Sequence, residues 1–432
     1  MKKLNQQKGF AAYLLTIIVL VVILGITIAL SALILSQQKI TSNIKKSDQA
    51  YSAAEAGIED ALVRLKNGMS WDSPYSLNVG TTSVNIEISD EEEGFRTITS
   101  TGNSAGLVRK IRTVFGISNE EVNFYYGIQV GDLGLLMDSN AIVHGNVFSD
   151  GPIVGSSNVK IYGDVVSAGP NGTIDTLAVK DDEGGGSVWA TNLTDCDIEG
   201  DAHYTNIDDC DIDGSEFSPE NGGDLQALPI TQDQIMEWRN QAADGGDLPG
   251  YFLGGSDTAS LGPKKVIGDM AMDSNAILTL TGTIWVTGNL TLNSNSIIQL
   301  DPGYNPYSGI IVVDGQISLS SNATFCGSEG YKQTGKCNSP VVGNYVMLLS
   351  TKSSSGSADS AIISSSNTKT AILYASNGFI TLNSTSNLKE ATGRGIKMDS
   401  NANVSYETGL ADARFSNGPG GGWTLKSWQE IE

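Results

Sequence analysis

Residues that most often carry chemistry are scarce in this chain. Of 432 residues only two are His, His144 and His203, and four are Cys. So few histidines exclude the usual His-dependent hydrolases and most zinc centres. Both are read as surface or turn residues. There is no Walker-type phosphate loop and no Gly-rich dinucleotide fingerprint, which removes the common nucleotide-dependent enzymes. Positive charge is also short. Lys and Arg number 26 against 48 Asp and Glu, for a net charge of −22. Nucleic acid and anionic lipid headgroups are poor partners for such a surface. Proline is low at 11, while glycine reaches 50 and Ser, Thr and Asn are frequent. That balance suits many short strands joined by tight turns rather than packed helices.

What is present begins with "KGFAAYLLTIIVLVVILGITIALSALILS", residues 8–36, in which no charge follows Lys8. As a helix, Ala11 to Leu35 would span roughly 37 Å, enough for a bilayer core of about 30 Å. A secretory apolar core is usually about 7–15 residues and ends in a small-x-small site, so this run is too long to be one. Lys2, Lys3 and Lys8 precede it. The positive-inside rule then places the N-terminus in the cytoplasm and the remainder outside. Beyond the apolar run, Ile40, Ile44, Tyr51, Ala54, Ile58, Leu62 and Leu65 recur at helical spacing, with charged residues between them. One helix over residues 10–66 is predicted, its transmembrane part at 11–35.

"QKGFAAYLL" followed by one long helix resembles the class III signal of type IV pilins and type II secretion pseudopilins. The resemblance implies a leader, residues 1–9, removed by a prepilin peptidase between Gly9 and Phe10. It also implies an apolar segment that first holds the subunit in the membrane and then packs among other pilin-like subunits. "SDQAYSAAEAGIEDAL", residues 47–62, is similar to the signature of PilX-like minor pilins. The family's usual Glu at the fifth residue after the cut is absent; Leu14 stands there. That departure points to a minor or tip subunit rather than a major one. The resemblance covers residues 8–65. An ordinary, unprocessed single-pass anchor is the alternative.

In "TSVNIEIS", Val84, Ile86 and Ile88 alternate with polar residues, as in a half-buried strand. "FRTITSTG" and "LVRKIRTVFGI" follow. A small antiparallel sheet packed on the amphipathic half of the helix is expected for residues 67–130, which is also the pilin-like arrangement.

After residue 130 the chain repeats. "SNAIVHGNVFSDG" (139–151) aligns with "SNVKIYGDVVSAG" (157–169), and "MDSNA" occurs at 137–141, 272–276 and 398–402. Ser-Asn units recur at Asn295, Asn322, Asn367 and Asn387. Short apolar runs repeating every twenty or so residues between Gly/Asn turns indicate a solenoid, whose coils bury their apolar faces only by stacking. The recurring Asn suits a left-handed backbone or an amide ladder. The fold expected is therefore mainly β with a long N-terminal helix, and an irregular parallel β-helix over 131–432. A β-sandwich is the alternative. An insert around 180–262 is expected to contain a short helix, 232–243, capped by Thr231 and Gln234, with Ile235, Trp238 and Ala242 on one face. The block from "GPKKVIGDMAMDSNA" to "GPGGGWTLKSWQ" also resembles a C-terminal domain of PilX-like proteins and implies no activity.

"TNLTDCDIEG" (191–200) and "TNIDDCDIDG" (205–214) form a tandem repeat that aligns Cys196 with Cys210. On adjacent strands these would face each other across about 5 Å, within disulfide range. Cys326 and Cys337 would close the polar loop between them. An exported chain would carry both bonds. The repeat also aligns Asp195 with Asp209, Asp197 with Asp211, and Glu199 with Asp213. Strand alternation would put all six acids on one face, either solvated or bridged by a hard cation such as Ca²⁺. The spacing is not that of an EF-hand, and no other cofactor is expected. The acids lack the accompanying Arg, Lys and His of a polysaccharide-cleaving site, so a non-enzyme is expected.

The reading from sequence is a minor or tip pilin-like subunit in the inner membrane and then in an extracellular filament. Its solenoid head would serve priming or adhesion to a surface or glycan ligand. A membrane-tethered scaffold outside any filament comes second, and a cell-surface polysaccharide-active enzyme third.

Overall fold

The computed structural model describes residues 6–66, 73–89, 95–117, 119–122, 124–180, 186–332, 336–337, 344–369, 371–407, 410–411, 413–416 and 423–431. The first five residues of the predicted leader lie outside them. Two compact units are present: Met1–Leu65 with Met69–Gly116 and Leu425–Glu432, and Ile117–Thr424 with Lys66–Gly68.

The first unit is built on helix α1, Gln6–Lys66. Its two halves meet different surroundings. From Phe10 to Ile44 the large apolar side chains are exposed. Farther along, Ala50, Ala53, Ala54, Ile58 and Ala61 are buried, as are Val84, Ile86, Ile98 and Ile111 of an antiparallel sheet. Small residues on α1 are required there because the backbones approach closely. A Cβ on Gly102 would lie 2.0 Å from the Ala50 carbonyl oxygen, and one on Gly57 would lie 2.3 Å from Ser100 Oγ. The "AAEAG" word is thus the imprint of helix–sheet contact. Thr82–Ile88 alternates buried and outward residues as predicted.

The sheet has a fifth strand that the sequence reading misplaced. Its order is Tyr75–Val79, Thr82–Ile88, Phe95–Ser104, Leu107–Ile117, then Trp423–Ile431. The C-terminal strand was expected in the solenoid. It returns to the small sheet instead, so the second unit is inserted between two neighbouring strands of the first. Asn119–Glu121 and Arg414–Ser416, on the outgoing and returning chain, pair antiparallel.

The second unit is a stack of coils, each pairing in parallel with the next. The β-sandwich alternative is not realised, since the ladders of the 24-stranded sheet are parallel. The order of coils differs from chain order. The chain enters at Ile128–Met137 and coils outward through Lys160–Tyr162, Thr173–Lys180 and Asn192–Ile198 to Asn206–Ile212 and Glu216–Phe217. A connector, residues 218–231, then leads to helix α2, Gln232–Asp244, and a new edge at Asp247–Leu253. From there it coils back until Glu390–Met398 pairs with Ile128–Met137 and Asn403–Ser405 pairs with Ile142–His144. Two half-stacks therefore meet at a seam in the middle. The predicted insert over 180–262 shrinks to the connector and α2, because Val188–Phe217 continues the first half-stack.

A column of left-handed residues marks one turn in every full coil. It contains Ser256, Asn275, Asn295, Asn322, Asn367, Thr385 and Asn401, crosses the seam to Asn140 and Asn158, and ends at Thr176, Asp195 and Asp209. Backbone N–H groups link the steps, as from Asn367 to the Thr385 carbonyl and from Asn401 to the Ser139 carbonyl. Asn tolerates this region better than most residues. Its amide also ladders, with Asn158 Nδ2 donating to Asn140 Oδ1 at 2.7 Å and Asn322 Nδ2 to Asn295 Oδ1 at 3.0 Å. The sequence reading put Asn387 in this column. Thr385 holds the place, and Asn387 opens the next strand.

Inner faces form one apolar core running through both half-stacks. A second apolar cluster lies outside the second half-stack, where α2 brings Ile235 and Trp238 against Ile310, Val312, Met347, Leu349, Ile372 and Tyr374. The predicted cap of α2 is present, with Gln234 N donating to Thr231 Oγ1 at 3.2 Å and Thr231 N to Gln234 Oε1 at 2.9 Å.

Candidate functional site

Two places carry the residues singled out from sequence. The first is the start of α1. Gly9 and Phe10 are helical, and Phe10 is 68 % exposed. Among the described residues one helix is long and apolar enough to cross a membrane, and none of its most apolar window is buried.

The second is the end of the first half-stack. Both predicted disulfides are present. Cys196 and Cys210 are direct partners in the parallel ladder, with Cα atoms 4.4 Å apart. Cys326 and Cys337, 5.4 Å apart, close a loop containing a short antiparallel pair. All six aligned acids are exposed, but they do not form one row. Asp195 and Asp209 have φ of 47° and 49° and belong to the left-handed turn column. They take the place that Asn holds in other coils, and the kink removes them from the alternation that Cys196, Asp197 and Ile198 keep. Lys180 Nζ lies 2.7 Å from Asp197 and 3.2 Å from Glu199, so a side-chain cation already bridges two of the six. Among the described residues no three His, Cys, Asp or Glu side chains converge to hold a metal ion. A shallow groove of about 670 Å³ runs over this face, with Lys160, Lys180, Asp195, Asp197, Asp209 and Asp211 along it.

Other acids of the head serve turns. Ser187 N donates to Asp164 Oδ1 at 3.1 Å and Ser215 N donates to Asp201 Oδ1 at 2.8 Å, while Asp164 N itself donates to Asn146 Oδ1 at 2.9 Å. Part of the negative charge is thereby explained as side-chain acceptors for turn N–H groups.

The histidines sit in ring stacks that the sequence reading missed. His144 stacks on Tyr162 at 4.7 Å, and His203 lies between Trp189 at 4.9 Å and Phe217 at 4.5 Å. Parallel coils place equivalent residues one above another, so His144 and Tyr162 stack in one row and Trp189, His203 and Phe217 in another. His203 Nδ1 also lies 2.6 Å from Glu220 Oε2 at the start of the connector. Glu390 was missed as well. It is fully buried beside the seam. Lys389 directly before it gives it the look of an ordinary surface charge pair, so the sequence carries no signal for its burial.

No protein-family model and no curated protein matches the chain. Among solved structures it is similar to the competence-associated pilin ComZ of Thermus thermophilus at 11% identity and a TM-score of 0.21, covering 89% of this chain and 97% of that one.

Proposed function

We propose that the chain is a non-enzymatic, pilin-like minor or tip subunit of a type IV pilus or related filament. The observation that carries this reading is the division of α1. One half presents an unbroken apolar surface and the other is packed by Ala and Gly against a small sheet. A soluble protein does not leave such a surface bare. In a membrane it meets lipid, and in a filament it meets the same helix of other subunits. Cleavage between Gly9 and Phe10 leaves the apolar segment attached, with the N-terminus reached from the cytoplasm. The second unit then displays a stacked-coil head outside the cell for priming or adhesion.

Mass spectrometry of the N-terminal peptide of native protein tests the reading. A chain beginning at Phe10 and co-purifying with sheared filaments is expected. A chain beginning at Met1 and absent from filaments overturns it in favour of a tethered scaffold, a reading with which Leu14 in place of Glu also agrees.

A further inference from the structure

Glu390 opens the last long strand of the second half-stack and pairs with Ile372 on one side. Its neighbour Ala391 pairs with Ile128 across the seam. Glu390 is 0 % exposed; Thr392 Oγ1 donates to Oε1, while Oε2 has no hydrogen-bond partner. Among the described residues no cation pairs with it. Lys389, next in sequence, is engaged by Glu407, which also accepts from Tyr345 at 3.1 Å. Tyr374 of the preceding coil is a further titratable group near Glu390. Across the seam Gln129, uncharged, pairs in register with Thr392, two residues along the strand from Glu390. Ile372 and Tyr374 lie in an apolar cluster with Val122, Phe124, Ile230 and Trp238.

The connector crosses this place. Gln226 N donates to Asp150 Oδ1 at 2.9 Å and Gln129 Nε2 donates to the Ala227 carbonyl at 3.2 Å, both in the first half-stack. Ile230 N donates to the Tyr374 hydroxyl at 3.1 Å, in the second. The strap thus ties one half-stack to the other with few bonds, next to an acid that has one partner.

We propose that Glu390 is a proton-operated latch. As the neutral acid it lets the seam and strap close over it, and as the carboxylate it drives them open. This inference is independent of the filament reading. Burial raises the Glu390 carboxyl well above the ordinary range, against a smaller opposing effect of the Thr392 hydroxyl. The unfolded chain therefore loses this proton first. The folded head keeps it, so the seam is strongest in acid. It weakens as pH rises above the ordinary carboxyl value toward the folded one.

Hydrogen exchange of the full chain in detergent, wild type against Glu390→Gln at matched pH, tests the latch. The two should exchange alike at acid pH. In alkali the wild-type peptides over 128–130, 224–230 and 390–393 should exchange at least about tenfold faster than those of the variant, the factor that one pH interval of displaced titration supplies. Residues 247–253, at the far edge, should not change. A difference that ignores pH, or one spread evenly over the head, overturns the proposal. Thr392→Val gives a second reading that needs no Glu390 variant. Loss of the hydroxyl removes the one hydrogen bond to the carboxylate, so the alkaline acceleration over the same peptides should grow relative to acid pH, and an acceleration that shrinks would also overturn it.

Discussion

The two half-stacks solve one problem on the inside and two different problems on the outside. Their inner faces are interchangeable rows of Val, Ile, Leu and Ala. Their outer rows diverge. In the second half Trp285, Val312, Leu349 and Tyr374 follow one another in register, and α2 and the returning chain near Leu410–Phe415 cover this side. In the first half the matching row runs through Phe148, Val166, Trp189, His203 and Phe217, and it becomes more exposed toward the end, where Phe217 is 40 % accessible. A covered row is apolar, whereas an uncovered row stacks flat rings edge-outward. The bare end is also where coils shorten and where Cys196–Cys210 joins two of them. Stacking supplies a core wherever a neighbour exists; a terminal coil has one neighbour and is held covalently to it.

The largest effect expected from breaking this contrast is at Trp238, fully buried and edge-on to Phe415 at 6.1 Å. Trp238→Ala should cost about 3–5 kcal/mol in denaturant unfolding of the head. Trp189→Ala, removing a half-buried ring from an open stack, should cost about 1 kcal/mol. Equal costs would mean that α2 is not what stabilises the covered face. Next comes the covalent staple. Cys196→Ser with Cys210→Ser opens a loop of 14 residues, worth about 3 kcal/mol on chain-entropy grounds. Hydrogen exchange should show the loss confined to 188–217, with the second half-stack unchanged.

Periodic features were readable from sequence and topological ones were not. The Asn recurrence gave the coil, the aligned cysteines gave their pairing, and the Thr231–Gln234 spacing gave the helix start, because each is fixed by local backbone geometry. The seam was invisible. Met137 and Met398 are ladder partners, yet their shared "MDSNA" word reads equally well as a distant repeat. Trp423–Ile431 was assigned to the solenoid because nothing local distinguishes a strand of one sheet from a strand of another. Asp195 and Asp209 looked like ligands because strand alternation was assumed through a residue whose φ is positive. Glu390 was passed over since its burial depends on chain segments far away in sequence.

Smaller effects sharpen the turn column. Asn322 has φ of 63°, and a Cβ with no local polar group is disfavoured there. Asn322→Ala should cost about 1–2 kcal/mol from strain and the lost Asn295 bond. Asn322→Gly should fall below that, because glycine accepts the backbone and loses only the bond. If Gly costs as much as Ala, the amide ladder and not the left-handed backbone is the reason for Asn, and the column is a side-chain device.

The smallest change concerns Asp195 and Asp209. If they are the acidic members of an otherwise Asn-rich column, Asp195→Asn with Asp209→Asn should leave stability within about 0.5 kcal/mol, as for exposed surface changes. Relief of repulsion among neighbouring carboxylates would tip it toward the stabilised side. Melting temperature should then be insensitive to Ca²⁺ in both proteins. A rise with Ca²⁺ in the wild type that the double variant abolishes would make these two residues ligands. The comparison of half-stacks would change with it, for the bare end would be held by an ion as well as by a disulfide.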